Sequence, residues 1–218
     1  MVQIVLIRPG ATDYDHQRRI QGNLDVPLNN EGVSEVARMI EELRGQHLDC
    51  VYCPCCEPAK QTAQAIAQGL DVKLRKLDRM ENLNHGLWQG MPIDEVRLKH
   101  PKVYRQWHEQ PELICPPEGE MLSQAAERVE QAMTRLLKRH REGVVGLVVP
   151  EPLASLVRCF FQHGELGDLW KAMGEHGRWE VLTVEPENGK SQISDSKSQI
   201  PNKSEIQNPN GKTVGSTF

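Results

Sequence analysis

The sequence predicts an α/β fold: a three-layer α/β/α sandwich around a mostly parallel central sheet. Three observations carry that prediction. Val2–Ile7 is a short, β-branched and nearly continuous apolar run, the pattern of a strand covered on both faces. Apolar residues recur three and four apart over 31–44 and again over 119–140, the spacing of helices that bury one face. Between and beyond them, strand-like and helix-like segments alternate, the order that lays helices on both sides of a sheet.

Taken in order, the first strand ends in Arg8-Pro9-Gly10 and feeds a polar loop closed by Gly22, Pro27 and Gly32 as turn markers. Asn30 is placed as the N-cap of a helix over 31–44, with Val33, Val36, Ala37, Ile40 and Leu43 on one face and Gly45 after it. A strand follows over 49–53. A helix then opens at Pro58, a residue suited to a first turn, and runs to Gly69. Residues 72–77 alternate apolar with basic side chains and read as an edge strand. Residues 78–118 form an insert broken by Pro92, Pro101, Pro111, Pro116 and Pro117, with short helices over 93–99 and 102–109. The longest helix spans 119–140. A buried strand over 143–149, a helix over 152–161 and a last strand over 179–184 complete a domain of residues 1–185. Residues 186–218 are rich in Ser, Asn, Gln and Lys and are predicted to be a disordered tail, because they bury too little apolar surface to offset their ordering entropy. The alternative reading of this segment is a docking peptide with Ile193, Ile200 and Ile206 as anchors.

Length and composition bound the function. A chain of 218 residues can build one α/β domain with an ample core. Net charge is −4 and the pI about 6.1, so no global basic field invites nucleic acid or an anionic membrane. Apolar runs such as 144–149 fall far short of the ~20 residues of a membrane helix. No charged stretch followed by an apolar one precedes the first strand, so no secretory signal is expected. Six Cys, four of them between Cys50 and Cys56, suit a reducing cytoplasm better than a disulfide framework.

An Arg at the carboxyl end of a buried strand points into the crevice where open α/β sheets bind ligands. Arg8, Gly10, Thr12, Arg19, Gln21, Gly22, Asp25, Pro27, Leu28 and Gly32 stand in a register that resembles the histidine phosphatase superfamily, the phosphoglycerate-mutase-like fold. Members usually read Leu-Ile-Arg-His-Gly-Glu-Thr at this strand end, then Arg-x-Gln-Gly-x-x-Asp-x-Pro-Leu. The resemblance covers residues 2–184 and supplies the strand order. Here Pro9 stands where the family places its nucleophilic His, Ala11 where it has Glu, and Asp15 where Asn is usual.

Phosphoryl transfer through a histidine needs a neutral imidazole in line with phosphorus, cationic clamps and further donors for the equatorial oxygens, and an acid for the leaving group. The resemblance places the family's second Arg at Pro58, its acid at Asn82 and its second His at Pro150. Proline carries no side-chain donor, acceptor or nucleophile. Losing one Arg–phosphate hydrogen-bonded pair costs about 1.5–3 kcal/mol, at least tenfold in anion affinity. The expected function is therefore that of a pseudoenzyme: a histidine-phosphatase fold kept as a binding or regulatory module, with no catalytic residues and no cofactor. Its ligand-binding candidates are Arg8, Asp15, Gln21, Gly22 and His85. Its expected partner is a small phosphorylated or anionic metabolite held by Arg8 and the Gln21-Gly22 loop, or a protein on the insert and tail. Glu57 and Glu151 each flank a replacement Pro and are candidates to pair with Arg8 in the vacated space.

Two alternatives come from other classes. One is a phosphatase or mutase acting on phosphate esters with rearranged groups, His85 or Glu81 among them. The other is a thiol or metal protein using Cys50-x-x-Cys53-x-Cys55-Cys56. Against a shared metal, Cys50 and Cys53 fall on opposite faces of a regular strand.

Overall fold

The structure is a computed structural model, and it describes residues 1–164 and 166–183. The expected tail over 186–218, with its isoleucine anchors, lies outside the described residues. Among those described, β1 (Val2–Ile7), β2 (Cys50–Cys53), β3 (Lys73–Lys76), β4 (Gly143–Val148) and β5 (Trp179–Thr183) form one sheet in the order β3-β2-β4-β1-β5. The first four run parallel to one another and β5 runs antiparallel along β1.

The apolar run of β1 is continuous because both faces of the sheet are covered. Val2, Ile4 and Leu6 belong to one core, and Val5 and Ile7 to the other. On the second side pack α2 (Asn30–Leu43) through Val36, Met39 and Leu43, and α3 (Ala59–Gly69) through Ala59, Ala63 and Ile66. On the first side pack α6 (Leu122–Arg139), through Leu122, Ala125, Val129 and Met133, and α7 (Leu153–Gln162). The insert's α4 (Ile93–Lys99) and α5 (Pro101–Glu109) join that side by burying Val96 and Trp107. The predicted three layers are present.

Boundaries shift by small amounts, each for a local reason. The N-cap of α2 is Asn29, one residue before the expected Asn30, because the Asn29 side chain accepts from the Gly32 N–H at 2.8 Å. Two short helices were not anticipated: α1 (Asp13–His16) and α8 (Leu169–Ala172). Four residues show no apolar period. Their signal is the cap alone: the Thr12 hydroxyl accepts from the Tyr14 and Asp15 N–H groups, and Asp168 caps α8 in the same way. β3 exposes all four residues, Lys73-Leu74-Arg75-Lys76, and its charges guard the open edge of the sheet. The turn after β1 lies so close to the start of α2 that a Cβ on Gly10 would stand 2.5 Å from the Gly32 carbonyl oxygen. This approach needs glycine on both sides, and it seats that turn against the helix.

Candidate functional site

The sheet order brings the carboxyl ends of β1 and β4 together. Ile7 pairs with Val148, and the Val149 N–H donates to the Ile7 carbonyl at 3.0 Å. Arg8-Pro9 and Pro150-Glu151 therefore leave adjacent strands side by side. Pro58 arrives from the loop after β2, the other neighbour of β4, and Asn82 from the segment after β3. Pro9, Pro58, Asn82 and Pro150 line one cavity, together with Asp15, Gln21 and Gly22. The cavity holds only about 40 Å³. A water needs about 10–15 Å³ of such space, so about three fit.

Arg8 is 4% exposed and is held by carboxylates. Its Nε donates to Glu151 at 2.7 Å, its Nη1 donates to Glu180 at 2.9 Å, and Glu175 lies 3.7 Å away. Burial works against the guanidinium charge, but Glu151 and Glu180 outweigh it and hold the Arg8 pKa above its ordinary value. Glu151 is fully engaged, since its other oxygen accepts from the Ser155 N–H at 3.0 Å and the Ser155 hydroxyl at 2.7 Å. Those donors belong to the first turn of α7, where a negative charge is stabilised. Glu57, the other expected partner, turns away: it accepts from the Gln61 N–H at 3.2 Å and lies 3.7 Å from Lys60.

The loop groups are engaged in holding the walls. Asp15 accepts from the Thr12 N–H and hydroxyl, both at 2.7 Å. Gln21 accepts from the Thr12 hydroxyl at 3.2 Å, and its amide donates to the Leu24 carbonyl at 3.3 Å. Gly22 takes a left-handed φ of +58° that favours glycine. Asn82 donates to the Gly22 carbonyl at 3.0 Å and to the Glu151 carbonyl at 2.9 Å, tying two sides of the cavity together. A carboxylate cannot donate, so Asn82→Asp is expected to leave both carbonyls unpaired. The expected loss is about 1–3 kcal/mol of stability, read from the denaturant midpoint.

His85 is a correction. It does not line the cavity; it is buried against Trp107, with ring centroids 5.4 Å apart. Neither ring nitrogen, nor the Trp107 Nε1, has a hydrogen-bond partner among the described residues. Burial alone pushes the His85 pKa down to about 4. Gly86 and Trp88 mark the end of a pocket loop in sequence, but the Trp88–Trp107–Trp170 packing draws the neighbouring imidazole into the core. Glu81 is exposed and also stands outside the cavity.

The groups missed at the sequence level come from the irregular segment before β5. Glu175 and His176 line the cavity, as does Arg19 from the first loop. The His176 Nδ1 faces the Glu35 carboxylate at 2.8 and 3.0 Å and so carries the proton, because a carboxylate only accepts. Glu35 also accepts from the Ala11 N–H at 2.9 Å, and the Gly177 N–H donates to the Pro9 carbonyl at 2.7 Å. These bonds pin His176 beside Pro9. His176 and Glu35 are 141 residues apart, and no spacing rule joins them.

The cysteines divide as the strand period requires. Cys50 belongs to one core and Cys53 to the other, on opposite faces of β2. Burial first, and neighbouring thiols second, push the Cys53 pKa up to about 11, which keeps it an unreactive thiol.

With this geometry in place, the profile of the histidine phosphatase superfamily (branch 1) matches residues 4–195. The chain belongs to that superfamily. Phosphoserine phosphatase 1 of Hydrogenobacter thermophilus is 28% identical over 185 residues, 85% of this chain and 88% of that protein. A probable phosphoglycerate mutase of Yersinia pestis is 28% identical over 138 residues, 63% of this chain and 64% of the other. Among solved structures, YhfR of Bacillus stearothermophilus superposes with a TM-score of 0.74 at 24% identity, over 85% of this chain and 92% of that one. A phosphoserine phosphatase of Entamoeba histolytica with 3-phosphoglyceric acid gives 0.72 at 20%, over 83% and 90%. These structural likenesses establish the histidine phosphatase fold. The relatives' names are those of phosphatases and mutases, which favours the expected alternative of phosphate-ester chemistry over the pseudoenzyme reading.

Proposed function

We propose that this histidine phosphatase family member works by binding a small phosphorylated or anionic metabolite and does not form a phosphohistidine. The observation that carries the reading is the pairing of Arg8. The guanidinium at the strand end is paired with Glu151 and Glu180, beside a small cavity walled by three prolines. Among the groups lining that cavity the carboxylates Asp15, Glu151 and Glu175 outnumber the one guanidinium, Arg19, which further disfavours a phosphate there. The six cysteines are unpaired, which fits the reducing cytoplasm we propose for it. Among the described residues no helix is long and apolar enough to cross a membrane. The test is rapid quench of the protein mixed with a phosphoryl donor, followed by a search for an acid-labile phosphoenzyme. None is expected, and finding one would overturn the reading.

A second reading, phosphate-ester turnover by rearranged groups, is favoured by the names of the relatives and by His176 in the cavity. Its Nδ1 is committed to Glu35, so its Nε2 is the nitrogen left to take a proton from an attacking water. On this reading an aryl phosphate is turned over, and the rate falls about 100-fold or more in His176→Asn. His85→Leu leaves it unchanged. An equal rate in the wild type and His176→Asn would exclude this assignment.

A further inference from the structure

Beside the small cavity, sharing Asp15, Arg19 and Met173 with it, lies a second cleft of about 180 Å³ against about 40 Å³ for the first. Its charge balance is the reverse. Arg18, Arg19 and Lys171 line it, and Asp15 is the lone carboxylate among its lining residues. Asp15 already accepts two bonds from Thr12, and Asp168 beside Lys171 caps α8 and pairs with His108 at 3.3 Å. The nearest carboxylate to Arg18, Asp94, is 3.8 Å away and closer to Arg97 at 3.1 Å. The remaining wall is apolar: Ile93, Trp170 and Met173. Trp170 is held in place, stacked on Tyr104 at 4.8 Å with its Nε1 donating to the Tyr104 carbonyl at 3.2 Å. Arg19 is held by the Gln17 side chain at 2.8 Å and the Gly90 carbonyl at 2.6 Å, while Arg18 and Lys171 are at the surface. A fixed aromatic wall facing such cations is the make-up of a small-ligand site: apolar surface for the body, a few charged groups for orientation.

We propose that this cleft is where the protein takes its ligand: a small organic anion. Its acidic group sits among Arg18, Arg19 and Lys171, and its short apolar or aromatic body lies against Ile93, Trp170 and Met173. The proposal rests on the binding-module reading and gives it a site. Anion recognition has moved from the cavity where Arg8 is neutralised to the cation-lined cleft next to it. Phosphate and carboxylate are both accepted by an Arg and Lys cluster, the doubly charged group more strongly.

The test is calorimetric titration at low salt with phenylphosphonate, which cannot be hydrolysed, then with benzoate and with inorganic phosphate. Phenylphosphonate is expected to bind tightest. Benzoate should be weaker through its single charge, and inorganic phosphate weaker through its missing body. Arg18→Ala and Lys171→Ala are expected to weaken phenylphosphonate by about tenfold each, and rising salt should weaken it further. Both side chains are at the surface, so these variants fold. Three results would each overturn the proposal: no binding at millimolar probe, binding indifferent to both substitutions, or inorganic phosphate bound as well as phenylphosphonate. An acid-labile phosphoenzyme would remove the binding-module reading and leave this titration standing, because the probe is not turned over.

Discussion

Replacing Glu151 by alanine is expected to lower the unfolding free energy by about 3 kcal/mol, the lower end of the 3–5 kcal/mol typical when one partner of a buried ion pair is removed. Arg8 and Glu151 are nearly sealed from water, with side chains 4% and 2% exposed. Truncating Glu151 strands the Arg8 Nε and also removes the acceptor for the Ser155 N–H and hydroxyl at the start of α7. The cost stays at the lower end because Arg8 retains Glu180 at 2.9 Å and Glu175 at 3.7 Å. Glu151→Gln keeps the volume and an acceptor for Arg8, so its loss should be smaller. Urea unfolding followed by circular dichroism measures both. A change below 1 kcal/mol for Glu151→Ala, with an unaltered denaturant slope, would show that the carboxylate is not what holds Arg8 in place.

Acid is expected to destabilise the fold through His85, by about 3 kcal/mol between pH 6.5 and pH 4. The buried imidazole binds a proton only near pH 4 in the folded chain, against its ordinary 6.5 when unfolded. Between those values the unfolded chain holds the extra proton, so stability rises with pH. It is complete above pH 6.5 and is lost as pH falls to 4. Each pH unit across that window is worth about 1.4 kcal/mol. His85→Leu removes the titration together with two unpaired ring nitrogens. The variant should match or exceed the wild type above pH 6.5, and it should lack this part of the acid loss. Parallel slopes of stability against pH for the two proteins would place the proton elsewhere.

The two predictions divide what was legible in the chain from what was not. The Arg8 strand, its following loop and the alternation of elements were readable because each is local: a buried strand needs a continuous apolar run, a helix needs its three-and-four spacing, and a turn needs its glycine. The family resemblance then singled out Pro9, Pro58, Asn82 and Pro150 in four separate segments, and the sheet order placed them together. That one of Glu57 and Glu151 pairs with Arg8 was open, and the start of α7 chose Glu151 by offering it two donors. His85 was misplaced because its sequence neighbours belong to a pocket loop while its packing neighbour, Trp107, belongs to a different helix.

By itself the sequence determined the fold class and the family, since both rest on residue patterns along the chain. Only the tertiary structure decided how the charges are shared. Glu180, Glu175, His176 and Glu35 reach the site from β5, the segment before it and α2. Whether a guanidinium is free or neutralised depends on distances across such separations, and no periodicity along the chain encodes them.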